Sequence, residues 1–210
     1  MIVLVTGTGT DVGKTVATAA LAACGESRGH DVALVKPVQT GESPGSGDLA
    51  TITALTGIAD THCFATCPEP LAPVTAAQRA GVSLPSLEES VRRVRDLDGP
   101  GRLVLVEGAG GVLVQLGDYT IADLAQALQA PVAVVTTTGL GSLNHLISRR
   151  PARWTSCAPG SSAVRGWGRF RPVPERRRVW PRSALRRWGG WTVAVAFSRR
   201  NVKYTVHSDV

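Results

Sequence analysis

Residues Gly7–Thr15 read GTGTDVGKT and directly follow the apolar run Ile2-Val3-Leu4-Val5. An alanine-rich stretch, ATAALAA from Ala17, comes next. A buried strand that feeds a glycine-rich turn and then a helix gathers backbone N–H groups and a helix N-terminus at one place. That place suits a phosphate. Lys14 can reach the β- and γ-phosphates of a nucleotide, and the Thr15 hydroxyl is placed to hold Mg2+. Five residues separate Gly7 from Gly13, one more than in the usual phosphate loop, so this loop is a variant. A chance glycine turn ahead of a helix would not require Lys-Thr at its end.

Outward from the loop, composition divides the chain. Residues 1–145 carry 8 Lys and Arg against 14 Asp and Glu, a net −6, and no Trp. Residues 146–210 carry 14 Arg and one Lys against two acids, a net +13, and all five Trp. The overall +7 averages two unlike segments. The first is long enough to bury a core of its own. Its N-terminal apolar run is short and has no basic leader, so it does not read as a secretory signal. No apolar run approaches the length of a membrane span, so no membrane partner is expected. Cys24, Cys63, Cys67 and Cys157 are irregularly spaced and form no disulfide framework, which makes a reducing cytoplasm the expected location.

Within 1–145 the pattern alternates strand and helix. Val32–Val35 is a β-branched strand running into KPVQTGE, and a helix is expected over Asp48–Leu55. Cys63–Thr75, with Pro68, Pro70 and Pro73, reads as loop. Ser86–Leu97 places Leu87, Val91 and Val94 on one face, an amphipathic helix with Arg92, Arg93 and Arg95 largely outside. Leu103–Val106 is an apolar strand ending in EGAGG, Ile121–Leu128 a second amphipathic helix, and Val132–Thr136 another strand; GLGSLNH should then open a helix. Strands without polar alternation, each followed by a helix, imply an α/β domain whose mainly parallel sheet is covered on both faces.

Ligands in such folds bind at the carboxyl ends of the strands. Those ends deliver Lys36, Glu107 and the turn before Asn144-His145, while Asp48 starts a helix after a glycine-rich loop. Thr15, Asp48 and Glu107 offer oxygen ligands to Mg2+, and Lys14 and Lys36 neutralise phosphate charge. Glycines after Glu107 let a ligand approach the backbone. Singly, each has a duller reading: Asp48 as a helix N-cap, Glu107 as a surface acid, Lys36 as a solvated lysine. Their appearance at successive strand ends favours a site. His62, Cys63 and Cys67 have CxxxC spacing with no second pair, which does not read as zinc.

Taken together, GTGTDVGKT, KPVQTGE, the Asp after a short Gly-rich loop, VEGAGG and LGSLNH resemble, in that order, the motifs of ATP-dependent dethiobiotin synthetases. The resemblance covers Met1 to about His145. It implies a P-loop NTPase-like three-layer domain, and ring closure of 7,8-diaminopelargonic acid with CO2 (or bicarbonate) and ATP, Mg2+ serving as cofactor. It further implies that Asp11, Val12, Gly13, Lys14, Thr15 and Val16 bind ATP phosphates. Asp48, Glu107, Gly108, Ala109 and Gly110 complete the nucleotide site, and Thr15, Asp48 and Glu107 serve the metal. Lys36 is then the catalytic lysine and Thr40 contacts the diamine; Lys36 and the Thr10 hydroxyl have the chemistry to donate to the planar carbamate anion. In this family the substrate lies at a homodimer interface, where Ser142, Leu143 and Asn144 of the Gly141–His145 segment would receive its tail carboxylate.

Related P-loop classes fit less well. Partition-type ATPases carry a lysine where this chain has Gly9, and cobyrinate-type amide synthases need a glutaminase domain for which 210 residues leave no room. After His145 the family pattern stops. LISRRPARWTSCAPGSSAVRGWGRF and PERRRVWPRSALRRWGGW keep no helical or alternating period, and Pro and Gly interrupt them repeatedly. The basic charge is almost wholly Arg, whereas a nucleic-acid tail usually mixes in Lys. Arg, Pro, Ala, Gly and Trp are what a GC-rich coding strand yields out of frame. Residues 146–210 therefore read as a frame-shifted tail rather than an independent domain or a nucleic-acid-binding module, and no structure is assigned to them.

Overall fold

The apolar run behind the glycine loop becomes β1, Ile2–Gly7, with all of its residues after Ile2 buried. The computed structural model describes residues 1–43, 45–137, 193–195 and 204–206. The remaining elements are α1 (Lys14–Glu26), β2 (Asp31–Thr40), α2 (Asp48–Thr56), β3 (Thr61–Cys67), α3 (Pro73–Ala80), α4 (Leu87–Asp96), β4 (Arg102–Gly111), α5 (Ile121–Leu128) and β5 (Val132–Val135). A separate antiparallel pair, β6 (Val193–Val195) and β7 (Tyr204–Val206), follows.

β1 to β5 form one sheet in the order β3-β2-β4-β1-β5, and every pairing in it is parallel. Side chains alternate between its faces. Leu4, Ala33, Val35, Val104, Val106, Val132 and Val134 pack with Val94 of α4 and Ile121 and Leu124 of α5. Their neighbours Val3, Val32, Leu34, Leu103 and Leu105 pack with Ala19 and Ala22 of α1 and Ile52 of α2. Both faces are covered, so both sets are apolar. That is why the strands read as unbroken hydrophobic runs. The result is a three-layer α/β domain.

Local signals set the helix ends. The Ser86 hydroxyl accepts from Glu89 N at the start of α4. Thr120 and Asp123 close a reciprocal capping box on α5. The expected exposure of the α4 arginines needs one refinement, because the Arg93 guanidinium lies 4.1 Å over the Phe64 ring of β3. No helix among the described residues is long and apolar enough to cross a membrane.

One expectation is overturned. Cys63–Thr75 is loop only over residues 68–72: its start holds most of β3, and its last residues begin α3. β3 lies at one edge of the sheet, and its alternately exposed residues give little hydrophobic signal. Pro73 occupies the start of α3, where a missing N–H costs nothing. β2 is also longer than expected and runs through Pro37. Its pairing with β4 ends at Val35, and beyond it β2 pairs with β3 alone. Pro37 thus lies where one side of the strand needs no ladder hydrogen bond.

Candidate active site

Gly7 ends β1 and starts the loop. A Cβ there would stand 2.5 Å from Val12 Cγ2 and 3.2 Å from Lys14 Cγ, so the tight return of the loop requires glycine. Gly13 caps α1 at φ 92°, in the left-handed region, and no side chain caps this helix start. The α1 N-terminus therefore faces the loop with backbone donors only. Lys14 is buried and its Nζ donates to Gly9 O at 2.9 Å, folding back over the loop. Burial and then the nearby Lys36 hold its pKa below the ordinary lysine value.

Strand register assembles the rest. Val5 pairs with Glu107, and Val35 pairs with Val106, so Lys36 and Glu107 leave adjacent strands side by side next to the loop. Lys36 and Glu107 are almost fully buried, at 3% and 1% exposure. The Lys36 ammonium donates to Asp48 Oδ2, to Glu107 Oε1 at 3.1 Å and to Gly108 O at 3.2 Å. Burial alone would lower the pKa of Lys36, but Glu107 and Asp48 outweigh it and hold it above the ordinary value. Burial likewise works to raise Asp48. The Lys36 charge and the Lys36 and Thr15 hydrogen bonds outweigh it and keep the carboxyl below its usual range.

Asp48 opens α2 one position after the cap, which is Gly47 at φ 95°. The dull reading of Asp48 as the N-cap is thereby set aside. Its backbone N–H donates to the buried Gln39 Oε1 at 3.2 Å, and a Cβ on Gly47 would strike Gln39 Cδ at 2.9 Å. Thr15 Oγ1 lies 2.8 Å from Asp48 Oδ1 and 3.2 Å from Glu107 Oε1. One hydroxyl and two carboxylates thus converge beside the loop. Hard oxygen donors of this kind, with few carboxylates, fit Mg2+.

Other expected residues fall into place around this centre. Asp11 sits on the exposed rim of the loop at φ 56°, Val12 packs beneath it, and Val16 is on the first turn of α1. Gly108, Ala109 and Gly110 continue β4 past Glu107. A Cβ on Gly110 would lie 3.7 Å from Thr10 Oγ1, so Thr10 and the glycine turn face each other. Thr40 ends β2 opposite Cys67. Ser142, Leu143 and Asn144, with the helix expected after them, lie outside the described residues. Sequence reasoning missed Gln39 and Thr18. Thr18 donates to Glu107 Oε2 at 2.7 Å. Its place three residues after Thr15, on the same helix face, was the available signal.

A family model described as an AAA domain matches residues 2–150. The chain is similar to the ATP-dependent dethiobiotin synthetase BioD of Corynebacterium kroppenstedtii, at 56% identity over 145 residues, covering 69% of this chain and 63% of that protein. Similarity to the protein of the same name from Mycobacterium avium is 52% over 162 residues, covering 75% and 72%. Among solved structures, the signal recognition particle receptor FtsY from Elizabethkingia anophelis in complex with GDP is similar at 16% identity and a TM-score of 0.45, covering 70% of this chain and 43% of that one. The chain spans less than two thirds of the length of its Corynebacterium kroppenstedtii relative.

Proposed function

This chain belongs to the family of ATP-dependent dethiobiotin synthetases, and we propose that it closes the ureido ring of dethiobiotin from 7,8-diaminopelargonic acid, CO2 and ATP. The observation that carries this reading is the convergence of Lys36, Thr15, Asp48 and Glu107 beside a phosphate loop bearing Lys14.

One substrate amine attacks CO2 through its nitrogen lone pair and loses a proton, giving a carbamate. A carbamate oxygen then attacks the γ-phosphorus of ATP, and ADP leaves with the electrons of the broken P–O bond. The second amine attacks the carbonyl carbon, phosphate departs and a second proton is lost, closing the ring. Phosphoryl transfer asks a protein mainly for positioning and charge stabilisation. Lys36 remains cationic at neutral pH because two carboxylates favour its charged form, so it can donate to the carbamate and to the transferring phosphoryl group. Lys14 and the α1 N-terminus receive the terminal phosphates. Mg2+ held by Thr15, Asp48 and Glu107 would neutralise charge between those phosphates.

In this reading Thr10 donates to the carbamate and Thr40 contacts the diamine. Ser142, Leu143 and Asn144 receive the substrate's carboxylate across a homodimer interface, and the enzyme works in the cytoplasm. Residues 146–210 depart from the family pattern, so turnover by this chain is expected to be low. Its dependence on substrates is the test. ADP release should require Mg2+, the diamine and bicarbonate together; turnover indifferent to diamine and bicarbonate would sink the assignment.

A further inference from the structure

We propose that Thr18 is a positioning residue: its hydroxyl holds one oxygen of Glu107 and thereby aims the other at Thr15, Asp48 and Lys36. The inference rests on the metal-site reading above and extends it to a residue that neither the motifs nor that reading includes.

Thr15 and Thr18 are three residues apart on α1 and share the face turned toward β4. Thr15 Oγ1 reaches Glu107 Oε1 at 3.2 Å, and Thr18 Oγ1 reaches Glu107 Oε2 at 2.7 Å. Each carboxylate oxygen therefore has its own hydroxyl from one helix. Thr18 and Glu107 are each 1% exposed, so solvent offers neither a substitute partner. The Oε1 atom is the one that also accepts from Lys36, at 3.1 Å. Oε2 has the opposite task of anchoring the group.

A plainer account exists. The Thr18 hydroxyl also stands 3.0 Å from Lys14 O, one turn back, as buried helical threonines often do. A hydroxyl has one hydrogen, however, and the carboxylate is both nearer and charged. Lys14 O already has the helix N–H of Thr18 available to it by α-helical geometry. The hydrogen therefore goes to Glu107. Without it, Oε2 would be a buried acceptor with no donor, and the carboxylate would turn to recover one. Oε1 would then leave the position from which it meets Thr15 and Lys36.

Partners that orient a metal-binding carboxylate typically change metal affinity by about 10–100-fold when removed. The test is binding of Mn2+ in the presence of ADP to the full chain, followed by electron paramagnetic resonance. Thr18→Val keeps the shape and deletes the hydroxyl; it should weaken Mn2+ binding by about 10–100-fold, with metal-free ADP binding little changed. Thr18→Ser should restore the affinity of the unsubstituted chain. Mn2+ affinity unchanged in Thr18→Val, or equally reduced in Thr18→Ser, overturns the inference. If Thr18→Val does not fold by circular dichroism, Thr18→Ala takes its place with the same expectations. An unsubstituted chain that binds no Mn2+ with ADP removes the metal-site reading itself, and this inference with it.

Discussion

Lys36 places a positive charge between two acids, one of them wholly buried, and that charge has two roles that a single substitution separates. Without a metal, the ammonium is the counter-ion of Asp48 and Glu107. In the proposed reaction, with nucleotide and substrate present, it would be the donor to the reacting groups. Lys36→Ala should therefore lower turnover by about three orders of magnitude, since a preorganised donor to developing charge is lost, while nucleotide binding stays largely intact. Removing one partner of a buried pair strands the other, at a cost of about 3 kcal/mol. Addition of Mg2+ should recover much of that loss in a thermal melt. Near-normal turnover in Lys36→Ala would show that the catalytic role belongs to another group. Gly7 makes a different kind of demand. Gly7→Ala would press its methyl on Val12 and on the Gly9 carbonyl, 3.2 Å away. Val12 can turn aside only by disturbing the loop, so ADP affinity should drop at least tenfold, corresponding to about 1.4 kcal/mol or more of strain released on the loop; isothermal titration checks it. Lys36, Thr15, Asp48 and Glu107 were legible from their places at strand and helix ends. Thr18 and Gln39 were not, because each acts through a neighbour, and only coordinates reveal which neighbour a mid-helix hydroxyl or a strand amide meets.

At the scale of elements, legibility followed burial. β1, β4 and β5 are buried on both faces and announced themselves as apolar runs, and α5 was read to the residue because Ile121, Leu124, Ala125 and Leu128 recur at helical spacing. β3 escaped because its residues alternate between exposed and buried, and α3 escaped because Pro73 was read as a breaker instead of a first-turn residue. Helix α4 depends on a contact the sequence did not advertise. Ser90 Oγ and Tyr119 Oη share a hydrogen bond of 2.7 Å, and both residues are buried. Burial raises the Tyr119 pKa above its ordinary 10.0, only partly countered by Ser90. The folded chain thus keeps the phenol proton to higher pH than the unfolded chain does. Its contribution to stability is whole below pH 10.0 and is lost as pH rises through the folded-state value. Tyr119→Phe should lose about 1 kcal/mol at neutral pH, from the unsatisfied Ser90 hydroxyl, yet show a shallower alkaline decline. Denaturant melts between neutral pH and strongly alkaline pH decide it; parallel declines in the two proteins would mean that Tyr119 does not report on folding.

For the molecule as a whole, the two halves of the chain have incompatible characters. Residues 1–145, at net −6, build a sheet whose strand ends carry a coherent site, whereas residues 146–210 carry +13 almost entirely as arginine. The AAA-domain match stops at residue 150, and the Corynebacterium kroppenstedtii relative has over a third of its length beyond what this chain covers. A charge reversal of this size within a few residues of the last recognisable motif is what a change of reading frame would produce, because a base gained or lost changes every later residue and leaves every earlier one intact. The stretch Ala158–Gly166, APGSSAVRG, illustrates it. Read from the third base of each codon, it can encode Ala-Gly-Leu-Val-Ser-Gly-Ser-Trp, a short apolar run of the kind a buried strand needs. We therefore predict that the coding DNA changes frame close to codon 145, and that restoring the frame yields a better soluble chain with diamine-dependent turnover well above that of this one. Sequencing both strands across that region is the measurement. A clean sequence whose other frames are filled with stop codons would remove the idea. The arginines would then have to act as a genuine binding element, and the chain should be retained on DNA or RNA columns with an affinity that falls steeply as salt rises.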